Sequence, residues 1–349
     1  MLGKFFELPV VHIAVNGYGI MIVVGFLTAV FVMRRLAQRL GEKPEDITNI
    51  ALYTLIAGVV GARVFYVVHN FSQFRGDLLS VFATWQGGLE FLGGFILAII
   101  VVVVYMLRRR LSIRRYLDIL AVGVMLALCL GRIGCFIGRG CCFGKPADLA
   151  WAARFPYGSD GYRSQVYPNP ERGRFEPQLE LPAEFFGYIG EDGKTWYPAD
   201  EANKFRAGLK PAELLTDQQK YDITKGNYRC LPVHPSQLYS SANALILCLV
   251  LYLFWRKFAL TRPGCTLGLM FVLYGVTRFF LESLRDDNPF EYGWWTIYKG
   301  GTISQNLGIY QAALGIALLI IFARIKPKKA AKKKRRHSKS VSGKARLQT

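Results

Sequence analysis

Seven apolar runs, each about twenty residues long, constrain this chain more than any other feature. A helix needs ~20 residues to cross ~30 Å of hydrocarbon. Only helices and closed barrels satisfy their backbone polar groups there. The runs fall at 15–33, 49–69, 89–107, 117–138, 236–255, 265–284 and 303–323. They predict an all-α polytopic membrane protein of about seven transmembrane helices with a sizeable extracytoplasmic insertion. The mean hydropathy of +0.23 agrees, and charge is nearly absent from the runs. A soluble enzyme, a fibrous chain and a disordered chain are excluded on this pattern.

The net charge of +20 suggests a nucleic-acid partner until its position is considered. From Arg324 to Arg346 there are twelve Lys or Arg and no acid, so one tail holds more than half of the excess. Residues 324–349 therefore read as a basic, disordered cytoplasmic tail on anionic lipid, and no nucleic-acid partner is expected. Other basic clusters follow the first run (Arg34, Arg35, Arg39, Lys43), the third (Arg108, Arg109, Arg110, Arg114, Arg115) and the fifth (Arg256, Lys257, Arg262). If every run crosses once, all four clusters share one side. By the positive-inside rule that side is cytoplasmic, which places the N-terminus outside. The first run reads as a retained span, since Arg34 and Arg35 follow it and no small-x-small site does.

The chain divides into helices one to four (1–138), an outer insertion (139–235), helices five to seven (236–323) and the tail. From Lys145 to Arg229 the insertion carries twelve basic and thirteen acidic residues, so it is nearly neutral. It is longer than an unstructured connection should be. Two readings stay open: a small folded cap, or a lid and docking surface over a site.

Ionisable groups inside spans are costly, about 2.5–3.5 kcal/mol for a central Arg on insertion scales, and mark function by default. With the topology above, Arg63, Arg132 and Arg278 all fall in the outer half of the membrane, and Glu282 and Arg285 at the outer end of run six. Asn16, Tyr18, Glu90, His234 to Tyr239, Ser304 and Gln305 start inward-running spans and join the same layer. No such cluster is expected in the inner half. Tyr274, Arg278, Glu282 and Arg285 follow i, i+4, i+8 and i+11, one helical stripe. A self-neutralising ion pair is one reading of that stripe. Yet positive charge is left over, and a positive cavity of low dielectric favours an anion. In an outer leaflet the natural anion is a lipid phosphate. Gly58, Gly61, Gly93, Gly94, Gly131 and Gly134 give room for a ligand or let helices approach closely.

These residues carry a resemblance. Gly131-Arg132-Ile133-Gly134-Cys135-Phe136-Ile137 with Gly144 resembles the signature of prolipoprotein diacylglyceryl transferases. His234-Pro235-Ser236-Gln237-Leu238-Tyr239, Gly17-Tyr18-Gly19, and Gly61-Ala62-Arg63 with Tyr66 are similar to further motifs of that family. Trp85-x-Gly87-Gly88-x-x-Phe91-x-Gly93-Gly94, Arg278 with Glu282 and Arg285, and Gln305 complete the set in family order. The resemblance implies a multi-pass protein of the bacterial inner membrane. It implies transfer of the diacylglyceryl group of phosphatidylglycerol to the lipobox cysteine of a prolipoprotein, with release of glycerol phosphate. The partners are then phosphatidylglycerol, prolipoprotein lipobox segments and membrane lipids.

The sequence also departs from the family pattern. Leu92 stands where the family usually has a histidine, a candidate general base. Cys135 replaces an asparagine, and Cys141 replaces a glutamate in Gly140-Cys141-Cys142-Phe143-Gly144, with an apparent extra residue near Gly138 and Arg139. Candidate catalytic residues are Arg132 and Arg278, which meet the phosphate, with Glu282 and His234. Tyr18, Arg63, Tyr239, Tyr274, Arg285 and Gln305 are candidates for holding the lipid head, Arg63 and Arg285 also serving the framework. The base is left open between Glu282, His234 and the lipid phosphate. No cofactor or metal is expected, since arginine neutralises the charge and no C-x-x-C or histidine at ligand spacing is seen. Cys141, Cys142 and Cys230 flank the insertion on an oxidising side, so a disulfide from Cys230 to Cys141 or Cys142 is one expectation. Two rival functions are a lipid or anion transporter, which should show inverted repeats, and a membrane thiol oxidoreductase using Cys141 and Cys142.

Overall fold

The protein is described from a computed structural model covering residues 6–8, 13–15, 17–74, 78–82, 87–138, 140–192 and 195–325. Asn16, Trp85, Arg139 and the basic tail beyond residue 325 lie outside the described residues. Strands β1 (Phe6–Leu8) and β2 (Ile13–Val15) pair antiparallel ahead of the first helix. Among the described residues, seven helices are long and apolar enough to cross a membrane: α1 (Gly17–Arg39), α2 (Pro44–His69), α4 (Phe91–Arg108), α5 (Ile113–Ile137), α8 (Ser236–Phe258), α9 (Cys265–Glu282) and α10 (Ile303–Arg324). One turn of helix, α3 (Phe71–Phe74), follows α2. The helices correspond one to one with the seven apolar runs. Several helices continue into polar residues at the basic end, as in α1 through Arg39 and α2 from Pro44, while α9 stops two residues short of its run, at Glu282.

The helices pack chiefly as pairs: α1 with α5, α2 with α4, α5 with α8, and α9 with α10. Glycine sets two of these contacts. A methyl group on Gly61 would stand 2.5 Å from the Gly93 carbonyl oxygen, and one on Gly275 would stand 2.5 Å from that of Gly308. The backbones meet directly there, as small-residue interfaces allow in lipid. Around α1, α5 and α8 lies the core of Leu36, Tyr116, Ile119, Leu251 and Trp255.

Buried acidic groups also occur at the helix ends that carry the basic clusters. Asp118, two residues into the fourth run, is fully buried. It accepts from Gly264 N at 2.6 Å and Leu267 N at 3.1 Å. It thereby satisfies donors that the start of α9 would leave orphaned. Asp46 is also buried, with Tyr105 Oη at 2.9 Å and Arg109 at 3.6 Å.

Between α5 and α8 lies a second hydrophobic core built on Phe155, Tyr162, Leu181, Phe185, Phe186 and Val233. It carries α6 (Asp160–Val166), α7 (Asp217–Thr224) and a three-stranded antiparallel sheet. In that sheet β3 (Phe186–Ile189) lies between β4 (Trp196–Pro198) and β5 (Gly208–Leu209). Thr216 and Gln219 close a reciprocal capping box at the start of α7. The two ends of this insertion run side by side: His234 N donates to Lys145 O at 3.0 Å and Val233 bridges Ala153. Gly144 sits at that junction between His234 and Leu284, and a side chain there would collide with both backbones.

Candidate functional site

The stripe on α9 closes into a network with the segment that follows it. Glu282 is fully buried at its side chain, and its Oε2 lies 2.8 Å from Arg278 Nη2 and 3.6 Å from Arg285 Nε. Its Oε1 accepts from Asn288 and, at 3.2 Å, from Thr302 Oγ1. Arg278 also donates to Ser304 Oγ at 2.8 Å at the start of α10. Arg285 turns to Asp287, with Nε 2.8 Å from Oδ1. Next to it, Asp286 receives Arg174 at 2.7 Å and Arg172 at 3.4 Å from the insertion. Arg172 also donates to the Arg285 carbonyl at 2.6 Å.

Arg132 is different. It sits half-buried in the last turns of α5 and, among the described residues, has no hydrogen-bond or ion-pair partner. It is nevertheless in electrostatic reach of Arg278 and of Tyr18. One turn on, the Sγ atoms of Cys135, Cys141 and Cys142 all lie within 4.8 Å of one another. Gln237 Nε2 donates to Cys141 O at 2.7 Å and Ser236 Oγ to Cys142 O at 2.5 Å, so the start of α8 holds this turn in place. Cys142 adopts a left-handed conformation, φ 61°, which non-glycine residues rarely take. Hydrogen bonds with Cys135 and Cys141 hold the Cys142 thiol below the ordinary range, and Arg285 and Arg132 add to this; Cys141 is pushed up by the same bonds. All seven cysteines are free thiols, and Cys230 lies in the insertion's core, donating to Gln165 Oε1 at 3.4 Å. The expected pairing of Cys230 with Cys141 or Cys142 is not made.

The remaining sequence candidates take varied positions. Arg63 donates to the carbonyls of Ser80 (2.6 Å), Val81 (2.7 Å), Gly87 (2.8 Å) and Gly88 (3.1 Å). Its guanidinium lies over Phe74 and Tyr66, so it clamps the connection between α2 and α4. Glu90 pairs with His69 at 2.7 Å just beyond that clamp. His234 Nδ1 lies 3.5 Å from Tyr239 Oη, which also accepts from Trp151 at 2.8 Å. Gln305 makes the capping box of α10 with Thr302 and reaches Ser283 at 3.4 Å. Tyr274 packs at the edge of the helix core and shares the face of α9 with Arg278.

Sequence reasoning missed Thr302, Asn288 and Asp287. Thr302-x-x-Gln305 was legible as a capping box; the other two carry no motif. It also missed the thiol cluster, because Cys135 and Cys141 meet only once α5 ends and the chain turns back.

Comparison with known proteins follows this geometry. The sequence profile of the family described as prolipoprotein diacylglyceryl transferase matches residues 5–321. The phosphatidylglycerol–prolipoprotein diacylglyceryl transferase of Shigella boydii serotype 4 is 28% identical over 314 residues, 88% of this chain and 89% of the relative. That of Burkholderia orbicola is 29% identical over 319 residues, 88% and 90% respectively. That of Escherichia coli O1:K1 is 28% identical over 314 residues with the same coverage as the Shigella protein. With seven membrane-length helices and a profile match along nearly its whole length, this chain belongs to the prolipoprotein diacylglyceryl transferase family.

Proposed function

We propose that this chain transfers the diacylglyceryl group of phosphatidylglycerol to the cysteine thiol of prolipoproteins, and that Arg132 and Arg278 meet the phosphate. It is a multi-pass protein of the bacterial inner membrane. The observation that carries the residue assignment is the guanidinium of Arg132, without a partner among the described residues and in electrostatic reach of Arg278. A half-buried cation without an acceptor is costly unless an anion completes it. A phosphodiester head group does so, and arginine holds two of its oxygens with a planar fork. The basic clusters support a site in the outer leaflet, with the N-terminus outside and the C-terminus cytoplasmic.

The thiolate attacks the glyceryl carbon, the S–C bond forms, and the C–O bond breaks with its electron pair going to phosphate. The negative charge that grows on the phosphate meets Arg132 and Arg278. Glu282 serves this site as the anchor of Arg278, because both of its oxygens are already engaged. His234 then remains the side-chain candidate for taking the thiol proton, alongside the phosphate itself. Between α1, α2, α4 and α5 lies an apolar cavity of about 390 Å³ lined by Phe26, Met33, Phe95 and Ile99, suited to acyl chain. The test is transfer from labelled phosphatidylglycerol to a lipobox peptide by the purified protein. A thioether product that disappears in Arg132→Gln supports the reading; lipid movement without any thioether would sink it.

A further inference from the structure

Three thiols gathered at one turn are more than the proposed transfer uses. Cys135 ends α5, and Cys141 and Cys142 return beside it, their sulfurs mutually within 4.8 Å. Tetrahedral zinc–thiolate bonds of ~2.3 Å put sulfurs about 3.8 Å apart, so little movement separates this cluster from a ligand set. Backbone bonds from Ser236 and Gln237 fix the turn, which is the kind of support that orients metal ligands. All three residues are only half-buried, and no fourth His, Cys, Asp or Glu joins the group among the described residues. Structural zinc sites are closed by four protein ligands, whereas three ligands with an open position are the catalytic pattern.

We propose that Cys135, Cys141 and Cys142 bind one soft divalent cation of the zinc class, whose open fourth position takes the thiol of the incoming peptide. The proposal rests on the transferase reading and supplies its missing proton step. Soft thiolate ligands select such metals. Three thiolates and a divalent ion leave one negative charge, and Arg132 and Arg285 stand in electrostatic reach of it. A thiol that coordinates the ion loses its proton outright. The bound sulfur then attacks the glyceryl carbon, the C–O bond breaks toward phosphate, and the released proton ends on the departing phosphate. Nothing is oxidised or reduced. A disulfide is the rival fate, but it would use two of the three sulfurs and leave the third without a role.

The test uses the full-length protein with phosphatidylglycerol, stripped of metal under reducing conditions and titrated with Co²⁺. The expected result is one cobalt per chain with thiolate-to-cobalt charge-transfer absorption. Cys135→Ser, Cys141→Ser and Cys142→Ser should each weaken binding at least ~10-fold, with folding checked by thermal unfolding. A cysteine-containing lipobox peptide should change the cobalt spectrum, and its serine analogue should not. Stripped protein should transfer at least ~10-fold more slowly at pH 7, recover with Zn²⁺, and gain rate as pH rises toward the free thiol pKa of ~8.5. No charge-transfer band, a spectrum indifferent to the cysteine peptide, full activity after stripping, or a disulfide within the trio in active protein would each overturn the proposal. If stripped protein is fully active and Arg132→Gln is dead, only the metal is lost; if no form makes thioether, the transferase reading falls while the cobalt spectra still report the site.

Discussion

Arg278 and Glu282 lie one helical turn apart on α9 and pair at 2.8 Å, and the same guanidinium nitrogen reaches Ser304 on α10. The pair therefore also ties two helices together. Its parts separate by mutation. Glu282→Gln should leave the half-buried Arg278 without its counter-charge and cost on the order of 3 kcal/mol, seen as a lower Tm in detergent. Arg278→Gln in that background should recover much of the Tm and none of the transfer. A double variant no more stable than Glu282→Gln would mean the pair is not the source of the loss.

Arg132→Gln separates charge from folding more cleanly. Since Arg132 has no acceptor among the described residues, its loss should leave Tm within about 1 kcal/mol of wild type. Transfer should fall ~10²–10³-fold, the usual cost of removing one preorganised donor from a developing oxyanion. Arg132→Lys should rescue in part only. Transfer above about a tenth of wild type in folded Arg132→Gln would remove this residue from the phosphate site.

The α2–α4 contact gives a packing prediction. Gly93→Ala places a methyl against the Phe65 ring and the Gly61 carbonyl. Overpacking of this kind costs ~1–3 kcal/mol. Gly131→Ala, where the added methyl meets open space, is the matched control and should leave Tm unchanged. Equal melting of the two variants would contradict the close approach.

Asp286 is the clasp between the insertion and the end of α9. Asp286→Ala leaves Arg172 and Arg174 without their carboxylate. Limited proteolysis within residues 145–230 should then run about ten-fold faster, on the order of 1.4 kcal/mol of lost local stability. Unchanged cleavage would show that other contacts hold the insertion down.

Thiol chemistry offers a labelling test on reduced, metal-free protein. The Cys142 thiol lies below the ordinary range, so its thiolate persists as pH falls, whereas Cys141 is raised and stays protonated. Iodoacetamide should therefore label Cys142 before Cys141. Equal labelling of the two thiols, or Cys141 first, would contradict this order.

The membrane helices were legible because their signal is local: twenty apolar residues announce themselves without knowledge of any neighbour. The α9 stripe was legible for the same reason, since Arg278 and Glu282 sit one turn apart. What escaped depends on distant chain. Asp118 caps α9 from 146 residues away. Arg63 resembles a ligand-binding cation until the loop carbonyls that surround it are known. The sulfurs of Cys135 and Cys141 converge only through a helix end and a left-handed turn.

The insertion leaves and re-enters the helical body through neighbouring strands, with Lys145 bonded to His234 and Ala153 to Val233. Its two mouths are thus stitched together at a fixed width, whatever lies beyond them. Residues added or removed past Ala153 change the height of this module without prying α5 and α8 apart. The insertion is consequently a cassette: evolution or an engineer can lengthen, trim or exchange it while the spacing of Arg132 and the thiols stays put.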